Sequence, residues 1–581
     1  MNVALRKLAG SQRLRRVDEA LGDWLARTFP SASPETALAA ALAARAIADG
    51  HSALALDLSQ TWLDDVAGDG NAPRLPEPSA WCDALRQSPA VHVHDGDAPV
   101  ARVPLVLDSK RRVYLRRYFE YERQLARALI ARTSVLSPAQ PADEYQAAAD
   151  AGTDPAQQNA IDTALTHRFT LVTGGPGTGK THSVVRMLVA LARRANARGE
   201  SLRIELAAPT GKAAARLTQS IHSQLASLDL PVRIAQQIPE RAGTVHHLVG
   251  LSPWQARPRF DHTSPLPVDV VVVDEVSMVD LPLMTKLVDA VPTPARLILL
   301  GDPDQLSAVE AGNVLGALVE AAKDGPLRHC HAPLTHSHRF GEESALAALS
   351  TAIASGDADT ALQILAETAD ATLASHGAAL STEAGSQYRA VLDAHDPAEA
   401  LRAARGFRVL TALRQGPSGC IAIDRSIEQR LQQAIGVRSD TQWWRGRLLL
   451  ITANRPELGL FNGDTGLVWP DEDGRMKVWF EDPEGAPRAF APAVLPPNEG
   501  AFALTVHKAQ GSEFDRVALV TGPDSAVLTR ELLYTGITRA RIGITVYSTP
   551  EILRAGIGRR TLRMTGLADR LCEATSASLG T

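Results

Sequence analysis

The run FTLVTGGPGTGKT, from Phe169 to Thr181, leaves this chain few folds to choose from. Phe169 to Thr173 is apolar and β-branched and reads as a buried strand. Glycines and a proline turn the chain, and Ser183 to Ala195 carries helical spacing. The pattern G-x-x-x-x-G-K-T fits Gly174, Gly175, Pro176, Gly177, Thr178, Gly179, Lys180 and Thr181 without a gap. Glycines let the backbone curl until successive N–H groups face one anion, and the helix N-terminus adds partial positive charge. Lys180 supplies a mobile cation for terminal phosphates, and the Thr181 hydroxyl supplies an oxygen for Mg²⁺. A chance match in a glycine-rich loop would lack the strand before it and the helix after it. The stretch is a nucleoside triphosphate site, with Mg²⁺ as the expected ion.

A strand feeding a phosphate loop belongs to a parallel sheet with crossover helices, and the surrounding sequence has that texture. Further strands fit Arg203–Ala208, Val268–Val273 and Ala295–Leu300, each ending where polar residues gather. Ligands of open α/β sheets sit beyond the carboxyl ends of strands. Val270 to Val273 leads into Asp274 and Glu275, a Walker B arrangement: Asp274 would hold Mg²⁺ and Glu275 would orient or deprotonate the attacking water. Leu297 to Gly312 ends a strand in Gly-Asp and places Gln305 on a turn, where an amide can sense a γ-phosphate.

At 581 residues the chain is too long for one core, and the composition (45% hydrophobic, 22% charged) is that of ordinary globular domains. A net charge of −5 removes a global basic field, so any DNA contact must come from a local groove. Cys82, Cys330, Cys420 and Cys572 are far apart, with no C-x-x-C pair. That argues against zinc and disulfides, fits a reducing cytoplasm, and leaves four small buried hydrophobes as the plain reading. No apolar run reaches membrane-spanning length.

Residues 1–135 look helical, with apolar spacing over Val17–Thr28, Pro34–Ala48 and Arg111–Arg132. Lys110, Arg111, Arg112, Arg116 and Arg117 lie among Tyr114, Tyr118 and Tyr121; a solvated helix face explains them better than a nucleic-acid patch. Residues 136–153 are a Pro/Ala linker. Trp443, Trp444, Trp469 and Trp479 sit among short strands and N-G, D-G and E-G turns, which read as a small barrel whose tryptophans fill its core more readily than they stack on bases. After Tyr547 comes a last helical stretch, and residues 561–581 read as a loose Ala/Ser C-terminal tail.

GGPGTGKT, APTGKAAARL (Ala208 to Leu217), VDEVSM, GDPDQLSAVEAG, THSHRFG, LTVHKAQGSEFDRV and LLYTGITRAR resemble, in order, the motor motifs of superfamily 1 DNA helicases. The VEAG ending, ITANRPELGLFNGDTGLV and HKAQGSEFD are most similar to the RecD family, alpha subunits of exodeoxyribonuclease V, the RecBCD helicase–nuclease. The resemblance is strong from Pro155 to Tyr547. It implies an α/β fold of two RecA-like motor domains, with a helical N-terminal partner-binding domain and a small SH3-like β-barrel insert. The implied boundaries are 1–135 for the N-terminal domain and 154–330 for the first motor domain. The second is 331–434 with 500–560, and the insert is 435–499.

The resemblance also assigns roles. Gln157 would read adenine, and Arg339 and Arg539 would reach the γ-phosphate from the second domain. Gly511 and Glu513 would link nucleotide to DNA grip, and Tyr534 and Thr538 would orient Arg539. Thr210, Lys212, Thr244, His246, Thr505, His507 and Lys508 would hold DNA. It implies an ATP-dependent 5′–3′ helicase that works on single-stranded DNA and duplex ends with beta and gamma subunits, in double-strand break repair and recombination. No nuclease constellation stands in the sequence, so cutting would belong to a partner. A stand-alone helicase, a regulatory ATPase subunit and a P-loop ATPase acting on protein are the other readings.

Overall fold

All four apolar runs expected between Phe169 and Leu300 become strands of one six-stranded, wholly parallel sheet. In this computed structural model, which describes residues 8, 13–67, 72–96, 100–134, 154–252, 255, 257–336, 344–375, 377–482 and 485–579, the order is His331–Leu334, Phe169–Gly174, Arg296–Gly301, Val270–Val273, Ile204–Ala208, Gly243–Thr244. The expected linker lies outside the described residues. Successive side chains point to opposite faces of a strand, so each run feeds two cores. Leu171, Val271, Val273, Leu297 and Leu299 fill one; Val172, Val270, Val272, Ile298 and Leu300 fill the other. His331–Leu334 pairs with the phosphate-loop strand, which moves the end of the first motor domain past the expected 330.

The second parallel sheet has five strands, in the order Ala371–Ala374, Ala540–Tyr547, Phe514–Val520, Phe407–Thr411, Ala503–Thr505. Between its strands the chain inserts a five-stranded antiparallel sheet made of Leu448–Ile451, Thr465–Pro470, Met476–Glu481, Pro487–Phe490 and Asn498–Gly500. Alternation divides its residues between two cores. Leu449, Ile451, Val468, Val478 and Phe480 make the insert's own, whereas Leu448, Leu450, Leu467 and Trp469 join that of the second motor domain. Trp444 is 1% exposed and stacks on Phe502 with ring centroids 6.0 Å apart. The expected start of the insert at 435 is therefore early: the chain belongs to the motor core until about Leu448.

Two expectations fail at the ends of the chain. The N-terminal region is not purely helical. Its helices Arg16–Thr28, Pro34–Ala48 and Arg116–Ile130 pack with a four-stranded sheet ordered Leu54–Ala55, Arg112–Leu115, Leu105–Leu107, Val91–Val93. Arg112–Leu115 takes the start of the helix expected from Arg111. Strands of two to four residues are too short to display a period of two, and the charged Arg112 hides one of them. Nor is the C-terminus a tail. Met564 enters the N-terminal core, and helix Leu567–Leu579 puts Leu567 and Leu571 into the first motor core. The basic run is engaged by carboxylates: Lys110 meets Asp569 at 2.7 Å, Arg111 meets Asp57 at 3.0 Å, and Arg112 bridges Asp108 and Asp569 at 2.7 and 2.6 Å. All four cysteines are free; Cys82, Cys330 and Cys420 are buried as expected, but Cys572 is exposed. Among the described residues no helix is long and apolar enough to cross a membrane.

Candidate nucleotide and DNA site

The phosphate loop joins strand Phe169–Gly174 to helix Lys180–Ala197. Gly177 and Gly179 take φ of +78° and +80°, a left-handed backbone that glycine adopts without strain. A Cβ on Gly174 would come within 2.6 Å of the Thr178 hydroxyl and 2.7 Å of the Leu334 carbonyl, so the loop closes only around glycine. Thr178 Oγ1 donates to the Gly175 carbonyl at 2.9 Å. Lys180 Nζ donates to the carbonyls of Gly174 and Gly175 at 2.6 and 2.9 Å, which keeps the ammonium over the loop.

Two buried carboxylates, Asp274 and Asp302, lie within electrostatic reach of this cation at neighbouring strand ends. Asp274 accepts the Glu275 N–H at 2.8 Å, and burial, then Glu275, push its pKa up to about 6 while Lys180 opposes the rise. Glu275 has φ of +54°, one of two such non-glycine residues among those described, a conformation that costs of order 1 kcal/mol. Asp302 was not singled out in the sequence, although it ends the Gly-Asp strand. It is fully buried, and its carboxylate accepts Gln305 Nε2 at 2.9 Å, the Asp304 N–H at 3.1 Å and Tyr534 Oη at 3.2 Å. Burial raises its pKa and Lys180 works against that.

Tyr534 comes from the second motor domain, on helix Arg530–Ile537, and a Cβ on Gly175 would lie 2.9 Å from its hydroxyl. Arg539 follows that helix and is 3% exposed. Its guanidinium donates to the carbonyls of Thr535 (3.0 Å) and Ser512 (3.3 Å) and to Thr538 Oγ1 (3.3 Å). Burial lowers its pKa, while Glu275 and then Glu513 act in the opposite sense, which places the Walker B acid within electrostatic reach. Gly511, at φ +71°, begins the turn that carries Ser512 and Glu513. Glu513 forms an ion pair with Arg216 of the first domain, a residue sequence reasoning passed over because nothing distinguishes it on its helix. Arg339 lies outside the described residues.

The expected DNA residues gather at carboxyl ends of strands in both sheets, but not as one equivalent set. Thr210 and Thr244 cap helices, accepting the N–H of Ala213 and of His247, each at 3.2 Å. His246 is exposed. Thr505 Oγ1 accepts the Lys508 N–H at 3.4 Å, His507 is exposed, and Lys508 pairs with Glu499 at the end of the insert. Lys212 instead crosses between bodies, donating to Ser512 Oγ at 2.7 Å and to the Gly463 carbonyl at 3.4 Å; burial brings its pKa down to about 8.

The donor set suits a magnesium nucleotide. The Thr181 hydroxyl follows Lys180 at the start of the helix, and Asp274 is a desolvated carboxyl within electrostatic reach of that lysine, a pair of oxygen ligands of the kind Mg²⁺ takes. The loop N–H groups and Lys180 match phosphate oxygens. Gln157 is 4% exposed on helix Pro155–Thr166, which packs on the helix that follows the loop.

Models for the N-terminal domain of RecBCD enzyme subunit RecD, an AAA domain and a UvrD-like helicase C-terminal domain match residues 11–114, 157–311 and 500–547. RecBCD enzyme subunit RecD of Mycolicibacterium smegmatis is 39% identical over 558 residues, 93% of this chain and 94% of that one. RecBCD enzyme subunit RecD of Haemophilus influenzae is 34% identical over 71% of this chain and 72% of its own. The ATP-dependent RecD2 DNA helicase of Deinococcus radiodurans is 31% identical over 77% of this chain and 56% of its own length. Among solved structures, Bacteroides Pif1 bound to single-stranded DNA aligns with a TM-score of 0.40 at 17% identity, over 69% of this chain and 94% of that one.

Proposed function

This chain belongs to the RecBCD enzyme subunit RecD family, and on that premise we propose that it is an ATP-driven DNA helicase, the motor subunit of a RecBCD-type exodeoxyribonuclease V that acts in break repair and recombination. One observation carries the reading: groups suited to hydrolysis come from both motor domains to one place, with Tyr534 of the second on Asp302 of the first at 3.2 Å. Lys180 takes the terminal phosphates, and Gln157 reads adenine. Thr181 and Asp274 would hold Mg²⁺, which would neutralise phosphate charge. Glu275 orients the attacking water, and Gln305, held by Asp302, reports the state of the γ-phosphate. Arg539, with Arg339, presents guanidinium forks to the transferring phosphoryl group.

DNA backbone is gripped by Thr210, Thr244 and His246 on one domain and by Thr505, His507 and Lys508 on the other. Lys212 is held by Ser512 and Gly463 and would reach a phosphate only by leaving them. Alternation of the two grips yields 5′–3′ stepping along one strand. The insert is an SH3-like element beside the DNA path, and the N-terminal domain meets the beta and gamma subunits, one of which cuts. The protein works in the cytoplasm. The test is turnover and unwinding by the purified chain, with and without co-purified subunits. ATPase stimulated by single-stranded DNA and unwinding of 5′-tailed duplex are expected. Turnover indifferent to DNA overturns the reading, and unwinding of 3′-tailed duplex alone reverses the polarity.

A further inference from the structure

The segment QLSAVEAG, from Gln305 to Gly312, is held by three different bodies. At its start the Leu306 N–H donates to Thr535 Oγ1 at 2.9 Å, and the Leu306 carbonyl accepts Gln510 Nε2 at 3.2 Å. The Leu306 side chain sits in the core of the second motor domain. At its end the Gly312 N–H donates to the Gly50 carbonyl of the N-terminal domain at 3.0 Å. Arg563 joins the two in the middle: Nη2 donates to the Ala308 carbonyl at 3.0 Å and Nη1 to the Asp49 carbonyl at 3.2 Å.

The neighbours of Arg563 are anchored on opposite sides. The Thr561 N–H donates to Glu531 at 2.9 Å, on the helix that leads to Arg539. The Met564 N–H donates to His51 Nδ1 at 3.0 Å, in the N-terminal domain. Gly50 has φ of +87°, and a Cβ there would fall 1.2 Å from Arg563 Nη1, so only glycine leaves room for the guanidinium. The arginine thus stands between the sensor segment and the N-terminal domain.

We propose that Arg563 is a positioning residue for DNA-stimulated hydrolysis. Its planar fork fixes the distance between the Ala308 and Asp49 carbonyls, and through Ala308 it fixes the segment that carries Gln305. Movement of the second domain reaches that segment from Leu306, and the arginine supplies the fixed point against which the movement acts. This rests on the helicase reading above.

The experiment measures ATP turnover of the full chain with and without single-stranded DNA for the wild type, Arg563→Ala, Arg563→Lys and Gly50→Ala. Arg563→Ala is expected to lower the DNA-stimulated kcat about three- to tenfold, with KM for ATP and the DNA-free rate unchanged. Arg563→Lys should recover part of the loss, and Gly50→Ala should reproduce it by displacing an intact arginine. Wild-type stimulation in Arg563→Ala overturns the proposal. So does an equal fall of stimulated and DNA-free rates that lysine fails to relieve, because that is the mark of general destabilisation. Absence of DNA stimulation in the wild type would instead overturn the helicase reading itself.

Discussion

The two motor sheets are alike in plan and unlike in what they present. Both are parallel and buried on both faces, and both end their strands at the shared cleft. The first is nearly continuous in sequence, from Phe169 to Leu334, and offers open chemistry: a glycine-lined loop, a half-buried lysine and desolvated carboxylates. The second is assembled around the insert, and its contribution, Arg539, is a buried cation already held by its own domain's carbonyls. A group that acts by reaching across must be kept rigid until the phosphate arrives, or the entropy of ordering it would erode its effect. On the proposed reading the first domain binds the nucleotide and the second completes the site.

That division can be broken experimentally. Lys180→Gln should have the largest effect, lowering ATPase more than about a hundredfold and weakening nucleotide binding, as read by turnover and by fluorescent-nucleotide titration. Substantial DNA-stimulated turnover in that variant would remove the loop from the chemistry. Arg539→Ala should lower kcat by about a thousandfold while nucleotide affinity stays near wild type. Equal loss of binding would make Arg539 a structural support of the Ser512 turn and erase the contrast.

The brace on the first domain has its own signature in acid. His51 is buried, and desolvation, then Arg563, lower its pKa to about 4. The unfolded ring titrates near its ordinary value of about 6.5. Between these values the unfolded chain binds the extra proton, so stability is lost as pH falls from about 6.5 towards 4, by about 2 kcal/mol at pH 5. Melting curves across that range should show the loss, and His51→Gln should flatten it. A pH response unchanged in the variant would place the sensitivity elsewhere. Tyr534→Phe should cost least, about tenfold in kcat, since Asp302 keeps the Gln305 amide and loses only the hydroxyl from across the cleft. Wild-type turnover in that variant would mean the contact joins the domains without assisting hydrolysis.

The first motor domain was legible because long apolar strands each end in a polar motif, and the phosphate loop states its purpose locally. The N-terminal sheet was not, since strands such as Leu54–Ala55 and Val91–Val93 carry no period. The end of the chain reads as loose because it is rich in Ala and Ser, and only the fold shows Leu567 and Leu571 entering another domain's core. Trp444 and Trp469 were rightly expected in a core, but the core proved to be largely that of the motor.

By itself the sequence determined the strand, glycine loop and helix around Lys180 and the parallel sheet they belong to, because loop curvature and strand burial are set by residues adjacent in the chain. Only the tertiary structure decided that Asp302 meets Tyr534, that Arg216 meets Glu513, and that Arg563 lies against Gly50. Such partners stand hundreds of positions apart, and nothing local to either one records which surface the fold will bring to it.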